Sequence, residues 1–450
     1  MRAPLSSEDK KARYSILYRD VSGLHFVVRR MLKIFSFYTG TAVKSQFSPM
    51  SDVRYGLAII PTVSDKMAFG AIAIPVGTCY NHFIFLKKFS LAIAHLGNNE
   101  ANAYRAERGG RMGIIQIELK NFTVFSNLNL HLTDGLNVLI GENGTGKTHV
   151  MKLIYSACKA VKPDVSFSQK VVRVFRPDQF SISRLARRQG KGNVDAEVKV
   201  SSDSAFISMT FSKSLTKKWD ADVKNERKWE QQHGDLTCTF IPAKEILSNA
   251  WNLEAAVGSS NVEFDDTYVD IVMAAKIDLA KGADTAQRKR YLSILQKVTD
   301  GRVTFEKDRF YLWPGNAKIE FNLVAEGIRK VALLWQLIKN GTLEKGSILL
   351  WDEPEANLNP KHLPMIAEML LELQRNGVQV FVATHDYFLA KFIEIYRSDS
   401  DQVAFHSMYV QDVDTFVESK NHFAELEHNP ISDTYLRVYK EEIDKAMEVT

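Results

Sequence analysis

From residue 114 onward the apolar positions fall into regular periods, and the period changes in a fixed order along the chain. Ile115, Ile117 and Leu119, then Leu128, Leu130 and Leu132, recur at every second position, which predicts two half-buried antiparallel strands. Leu136 to Ile140 reads as a short buried strand; a glycine-rich loop follows, and Val150, Leu153, Ile154, Ala157 and Val161 then recur at helical spacing. Residues 165 to 322 read as mixed: strands at Val194 to Val200, Phe206 to Phe211 and Leu236 to Ile241, a helical stretch over 264 to 299 stopped by Gly301, and a hairpin turned at Pro314-Gly315-Asn316. Helix 326 to 339, strand 347 to 351, helix 361 to 375 and strand 378 to 383 then alternate, the pattern of a parallel sheet covered by helices. No internal repeat, low-complexity tract or sustained heptad run interrupts this order.

The glycine-rich stretch between strand and helix is Gly141-Glu142-Asn143-Gly144-Thr145-Gly146-Lys147-Thr148, which fits G-x-x-x-x-G-K-[ST] in the context that a phosphate-binding loop needs. Glycines let backbone N–H groups turn inward around phosphates, and the helix start adds its dipole. Lys147 is placed to reach the β and γ oxygens, and Thr148 to offer a hydroxyl to Mg²⁺. Ile348-Leu349-Leu350-Trp351 is an apolar strand ending in Asp352 and Glu353, and a strand tip is where an α/β sheet presents chemistry. Asp352 is expected to hold Mg²⁺ through water, and Glu353 to orient or deprotonate the water that attacks the γ-phosphate. The next strand runs into Thr384-His385-Asp386, and His385 is read as a γ-phosphate sensor.

Charge changes the picture only when divided. The chain has a formal net charge of +5, but residues 1 to 111 sum to +9 and the remainder to −4. Those first residues carry no sustained period and receive no fold assignment. They end in Glu107-Arg108-Gly109-Gly110-Arg111-Met112, a run that fits a translated ribosome-binding site with Met112 as the natural initiator, the alternative being a genuine N-terminal arm. Within them Met67 to Leu86 is free of formal charge, yet Pro75, Gly70, Gly77, Asn81 and His82 weigh against a membrane span. Cys79, Cys158 and Cys238 show no metal or disulfide spacing, which points to a reducing cytoplasm. Lys170 to Lys191 contains Lys170, Arg173, Arg176, Arg184, Arg187, Arg188 and Lys191 against the single acid Asp178, a run that fits a nucleic-acid backbone or an acid-paired face.

The set GENGTGKT, Ala325-Glu326-Gly327-Ile328-Arg329-Lys330, SILLWDEPEANLNP and VFVATHD resembles the ABC-type ATPase heads of the SMC, RecF and OLD group, in particular its solitary bacterial ATP-binding proteins. The resemblance implies an α/β P-loop NTPase fold with an ABC-type head, a mixed sheet plus an antiparallel β subdomain and an inserted α/β lobe. Residues 112 to 164 and 323 to 400 would form the core, 165 to 322 the inserted lobe, and 401 to 450 a mixed or helical tail. It also implies ATP and Mg²⁺ as cofactors and a homodimer with two nucleotides sandwiched between heads, hydrolysed to ADP and phosphate. Gly327 would be the signature glycine that touches the opposing γ-phosphate, although Ala325 stands where the family has a serine, and Arg329 is a substitute source of charge. Asn359 replaces the aspartate of the family's D-loop. Gln179 and Gln169 are candidates for the family's glutamine, and Phe122 or Phe125 for packing on adenine.

The 177 positions from Thr148 to Ala325 are too many for a transporter domain and too few for long coiled-coil arms, so transport and cohesion both recede. After His385 only 65 residues follow, too few for the nuclease domain of OLD-type proteins, and Asp412-x-Asp414 alone reads as a solvated loop. A nuclease or toxin effector would therefore be a separate polypeptide. The leading expectation is an ATPase switch in genome maintenance or anti-phage defence; the alternative is an ATP-dependent scaffold with negligible hydrolysis.

Overall fold

The computed structural model describes residues 55–59, 71–75, 113–161, 165–188, 195–214, 219–259, 264–280 and 282–448. The chain divides into two units, Met1–Arg108 and Gly109–Thr450. In the first, β1 (Tyr55–Ile59) pairs antiparallel with β2 (Ala71–Pro75). β2 lies within the uncharged stretch weighed as a membrane span, so that part of it is an extended strand. The rest of the stretch and the proposed start-site run up to Met112 lie outside the described residues. Among the described residues no helix is long and apolar enough to cross a membrane.

The second unit is built on two sheets. Five antiparallel strands run in the order β4-β3-β6-β7-β8, with β3 (Ile114–Phe122), β4 (Phe125–His131), β6 (Ala196–Ser202), β7 (Phe206–Phe211) and β8 (Asp222–Lys224). Six further strands run in the order β16-β15-β5-β14-β13-β9, with β5 (Leu136–Gly141), β9 (Cys238–Ile241), β13 (Ile348–Asp352), β14 (Gln379–Ala383), β15 (Val403–Gln411) and β16 (Asp414–Lys420). All neighbours in this second sheet are parallel except β15 and β16. A smaller sheet joins β10 (Gly301–Glu306), β11 (Arg309–Pro314) and β12 (Ile319–Glu320).

Every residue of β5, β13 and β14 is buried, because helices or the antiparallel sheet cover both faces. Period two divides them between two cores. Leu136, Val138, Ile140, Leu349 and Trp351 join one, and Leu139, Ile348 and Leu350 the other. The helices in chain order are α1 (Lys147–Lys159), α2 (Phe167–Phe175), α3 (Glu226–His233), α4 (Leu253–Gly258), α5 (Asp266–Lys276), α6 (Ala286–Thr299), α7 (Glu326–Lys339), α8 (Leu363–Arg375), α9 (Tyr387–Tyr396) and α10 (Pro430–Glu448).

Several local expectations shift. A bulge between Ile114 and Gln116 turns Ile114 inward in place of Ile115, while Ile117 and Leu119 are buried as the alternation requires. The helical stretch over 264 to 299 is two helices, because Gly282 takes a φ of 102° and Thr285 caps the second. The hairpin expected at Pro314-Gly315-Asn316 is present as β11–β12, and a further one, β10–β11, turns on Lys307 and Asp308, both with positive φ, without the glycine that would have announced it. β9, read in sequence as part of the mixed middle section, pairs in parallel with β13 and so belongs to the nucleotide-loop sheet.

His406 sits in β15, fully buried, with Nδ1 2.8 Å from Ser419 Oγ on β16 and Nε2 3.2 Å from Asn137 Oδ1 on β5. Burial pushes its pKa down to about 4, so the fold holds it neutral and its contribution is complete above about pH 6.5. As pH falls from 6.5 towards 4 the unfolded chain takes up the proton first and that contribution is lost. Denaturant unfolding of wild type and His406→Gln should therefore show the wild-type advantage shrinking by about 2 kcal/mol between pH 7 and pH 5. A constant difference across that range would contradict a neutral buried imidazole.

Candidate active site

The loop after β5 is shaped by its glycines and by its own lysine. Gly146 ends it with φ 96°, and an added Cβ would stand 2.4 Å from the ring of Phe125, so both conformation and space demand glycine there. Glu142, Asn143 and Gly144 form an exposed tip, whereas Thr145, Gly146 and Lys147 are buried. Lys147 Nζ donates to the carbonyls of Gly141 and Glu142, each at 2.8 Å, and burial lowers its pKa to about 8. The loop is thus preformed around an ammonium whose bonds are to neutral carbonyls, in place of which phosphate oxygens would add the attraction of an opposite charge.

Thr148 Oγ1 donates to Asp352 Oδ2 at 3.0 Å across the junction of α1 and β13. Asp352 is buried, and loss of solvent raises its pKa to about 6 against the opposing Thr148 hydrogen bond. A hydroxyl and a carboxylate brought together are hard oxygen donors, and with phosphate oxygens and water they fit Mg²⁺. No cluster of three or more His, Cys, Asp or Glu able to hold a metal occurs among the described residues, so a dedicated all-protein metal cage is absent there.

Glu353 adopts φ 48° just past the end of β13, and its N–H donates to Ala383 O at 2.9 Å. Its carboxylate lies 3.6 Å from His385 Nε2, and burial, with Lys147 nearby, lowers the histidine's pKa. Glu142, Asn143, Glu353, Glu355, Ala356 and His385 line one cleft of about 480 Å³. The predicted loop, acidic strand and histidine therefore share a single site. Glu355 was not singled out in the sequence, where it reads as one more charge in a polar turn.

A second cleft of about 470 Å³ opens beside Gly144, lined in part by Thr123, Arg184, Arg188, Val410 and Asp412. The aromatic candidates do not reach it: Phe122 and Phe125 are fully buried core, with Phe122 edge-on to Phe175 and Phe211. Gln169 is the reciprocal partner of Ser166 in the capping box of α2, and Gln179 is exposed.

Much of the basic run is bonded within this chain, while the side chains of Arg173, Arg184 and Arg188 stay exposed. Lys170 is buried between Asp266 at 2.6 Å and Asp270 at 2.9 Å, and Arg173 pairs with Asp266. Arg176 donates to Phe264 O, Arg184 pairs with Asp178, and Arg187 pairs with Asp414 and donates to Val413 O. Asp414 thus serves an ion pair. Arg188 is exposed, and Lys191 lies outside the described residues. Of the two readings of the run, the acid-paired face describes Lys170, Arg173, Arg184 and Arg187, and α5 supplies carboxylates that one-dimensional charge counting could not pair with it.

The residues of the first turn of α7 have partners within this chain. Gly327 is buried against its own chain, and a Cβ there would stand 2.4 Å from Asn357 O and 2.9 Å from Leu358 Cα. Arg329 is committed in cis, to Glu245 at 2.5 Å and to the carbonyls of Phe321 and Val324, so it is not the spare charge anticipated for Ala325. Ala325 leaves the helix without a side-chain cap. Asn359 accepts from Lys361 N at 3.0 Å, a capping role that asparagine fills as well as aspartate.

With this geometry in place, two family models match. Residues 112–297 match a model described as "AAA ATPase domain", and residues 242–391 one described as "AAA domain, putative AbiEii toxin, Type IV TA system". The DNA replication and repair protein RecF of Bacillus cytotoxicus is 40% identical over 62 residues, 14% of this chain and 17% of that protein. RecF of Bacillus mycoides is 34% identical over 88 residues, 19% of this chain and 23% of that protein. The chain thus spans only about a fifth of the length of these curated relatives. Among solved structures, an SMC head bound to the C-terminal winged-helix domain of ScpA aligns at 13% identity with a TM-score of 0.48, covering 69% of this chain and 98% of that one. The SMC head domain from Thermotoga maritima aligns at 13% identity and a TM-score of 0.40, over 69% and 99%.

Because Gly327 faces the backbone of Asn357 and Leu358, Gly327→Ala should lower unfolding free energy by about 1–3 kcal/mol in denaturant titration without nucleotide. An unchanged midpoint would leave the glycine's packing role without support.

Proposed function

Since residues 112–391 carry an AAA ATPase domain of the SMC- and RecF-like ABC type, we propose that the chain hydrolyses ATP to ADP and phosphate as a Mg²⁺-dependent homodimeric switch. The observation that carries the reading is the single cleft in which loop residues Glu142 and Asn143 face Glu353 and His385, beside the Thr148–Asp352 contact. In it, the N–H groups of residues 141–148 and Lys147 bind the phosphates, and Thr148 and Asp352 hold Mg²⁺. When bound, the ion neutralises charge building on the phosphate oxygens. Glu353 takes the proton of the attacking water, and His385, held near it, orients the γ-phosphate. The second cleft, beside Gly144, takes the nucleoside.

The loop tip is exposed, so one head leaves its nucleotide open to a second, which is the rationale for the sandwich dimer. The output goes to a separate effector protein in genome maintenance or phage defence. A specific observation also favours a second reading: Ala325 supplies no hydroxyl and Arg329 is tied down in cis, which suits a scaffold that binds ATP and turns it over negligibly.

Turnover and light scattering separate the two. Glu353→Gln should lose at least about 100-fold in turnover and accumulate an ATP-bound dimer, and Lys147→Ala should weaken ATP binding at least about tenfold. Wild type no faster than Glu353→Gln, with both dimerising on ATP, would establish the scaffold instead.

A further inference from the structure

The strand tips bring a third carboxylate into the site, and its bonds are unlike those of the other two. Glu355 Oε1 accepts from Thr384 Oγ1 at 2.7 Å and from the backbone N–H of His385 at 3.0 Å. The Thr384 hydroxyl bonds in both senses: its proton goes to Glu355, and one of its lone pairs accepts the N–H of Asp386 at 3.0 Å. Asp386 in turn caps α9 by accepting from Leu389 N at 2.6 Å. One carboxylate oxygen therefore fixes the peptide on which His385 sits, from a turn only two residues beyond Glu353. The other oxygen, Oε2, is buried and has no hydrogen-bond partner, although the residue lines the cleft. Burial raises its pKa, and the buried ammonium of Lys330, which donates to Glu353 O at 3.2 Å, shares its field.

We propose that Glu355 is a positioning residue: it holds the His385 peptide so that the imidazole stays beside the Glu353 carboxylate. This rests on the hydrolytic reading of the site. Sequence spacing serves the purpose, because Pro354 and the left-handed Glu353 fold the chain back so that the carboxylates at 353 and 355 meet the same segment, one at its imidazole and one at its backbone. No step of the reaction passes through Glu355 itself.

The test combines kinetics with crystallography on the full chain. Glu355→Ala should lower kcat about 30–100-fold while the KM for ATP moves less than about threefold, as expected for a misplaced group whose ligand still binds. Glu355→Gln keeps the accepting oxygen and should recover turnover to within about fivefold of wild type. Because Glu355 acts through His385, Glu355→Ala/His385→Ala should be no slower than His385→Ala alone. A further loss of the full factor in that background would overturn the proposal. Crystal structures without nucleotide should show the imidazole displaced from Glu353 in Glu355→Ala and in place in Glu355→Gln. An undisplaced ring in Glu355→Ala would also overturn it. Thr384→Val, which removes the hydroxyl anchoring the carboxylate, provides the same structural readout if Glu355→Ala fails to fold. If wild type shows no turnover above Glu353→Gln, the hydrolytic reading falls, and the crystallographic comparison still decides the positioning.

Discussion

The last rungs of one parallel ladder govern this head. β14 lies between β5 and β13 with Ala383 level with both Leu139 and Asp352, so three strands end side by side. The ladder continues one residue past the strands, through Thr384 N to Leu139 O at 3.0 Å and Glu353 N to Ala383 O at 2.9 Å. Because the strands are parallel, all three carboxyl ends open on the same edge. A slip of one residue in either pairing would point Asp352 or Thr384 at the opposite face. The complete burial of these strands prevents the slip, since it would exchange the two cores.

The surroundings of that edge are electrostatically demanding. Lys147, Lys330, Asp352 and Glu355 are all withdrawn from water, and burial shifts each towards its neutral form. The two lysines donate to backbone carbonyls, Asp352 accepts from the Thr148 hydroxyl, and Glu355 accepts from Thr384 and the His385 N–H. Phosphate and magnesium entering the cleft would therefore meet groups that already lack water, in a setting where each charge interaction is stronger than at a surface. The same principle acts away from the site, where Lys170 on α2 is buried between two aspartates of α5.

How much of this was legible in the sequence follows from the range of the interactions involved. The phosphate loop, the acidic strand end and the strand before His385 are each contiguous, and their residues occupy the same elements in the fold. The antiparallel strands were equally visible, apart from Ile115, whose phase a bulge reversed. What escaped was set by partners distant in sequence. The basic run from Lys170 looked like an open stripe because its acids lie almost a hundred residues away. Nothing local discloses that the backbone of Asn357 packs against Gly327. Glu355 was overlooked because its burial comes from Thr384 and His385, on a different strand tip.

Gln379 stitches the two sheets together. At the start of β14, its side-chain amide accepts from Ile114 N at 2.9 Å and donates to Ile114 O at 2.8 Å and Thr133 O at 2.9 Å. The far end of the same five-residue strand leads directly into Thr384 and His385. The antiparallel lobe and the histidine are thus attached to opposite ends of one short, stiff rod. The setting of that lobe and the setting of His385 therefore depend on the same five residues, so neither is fixed independently of the other.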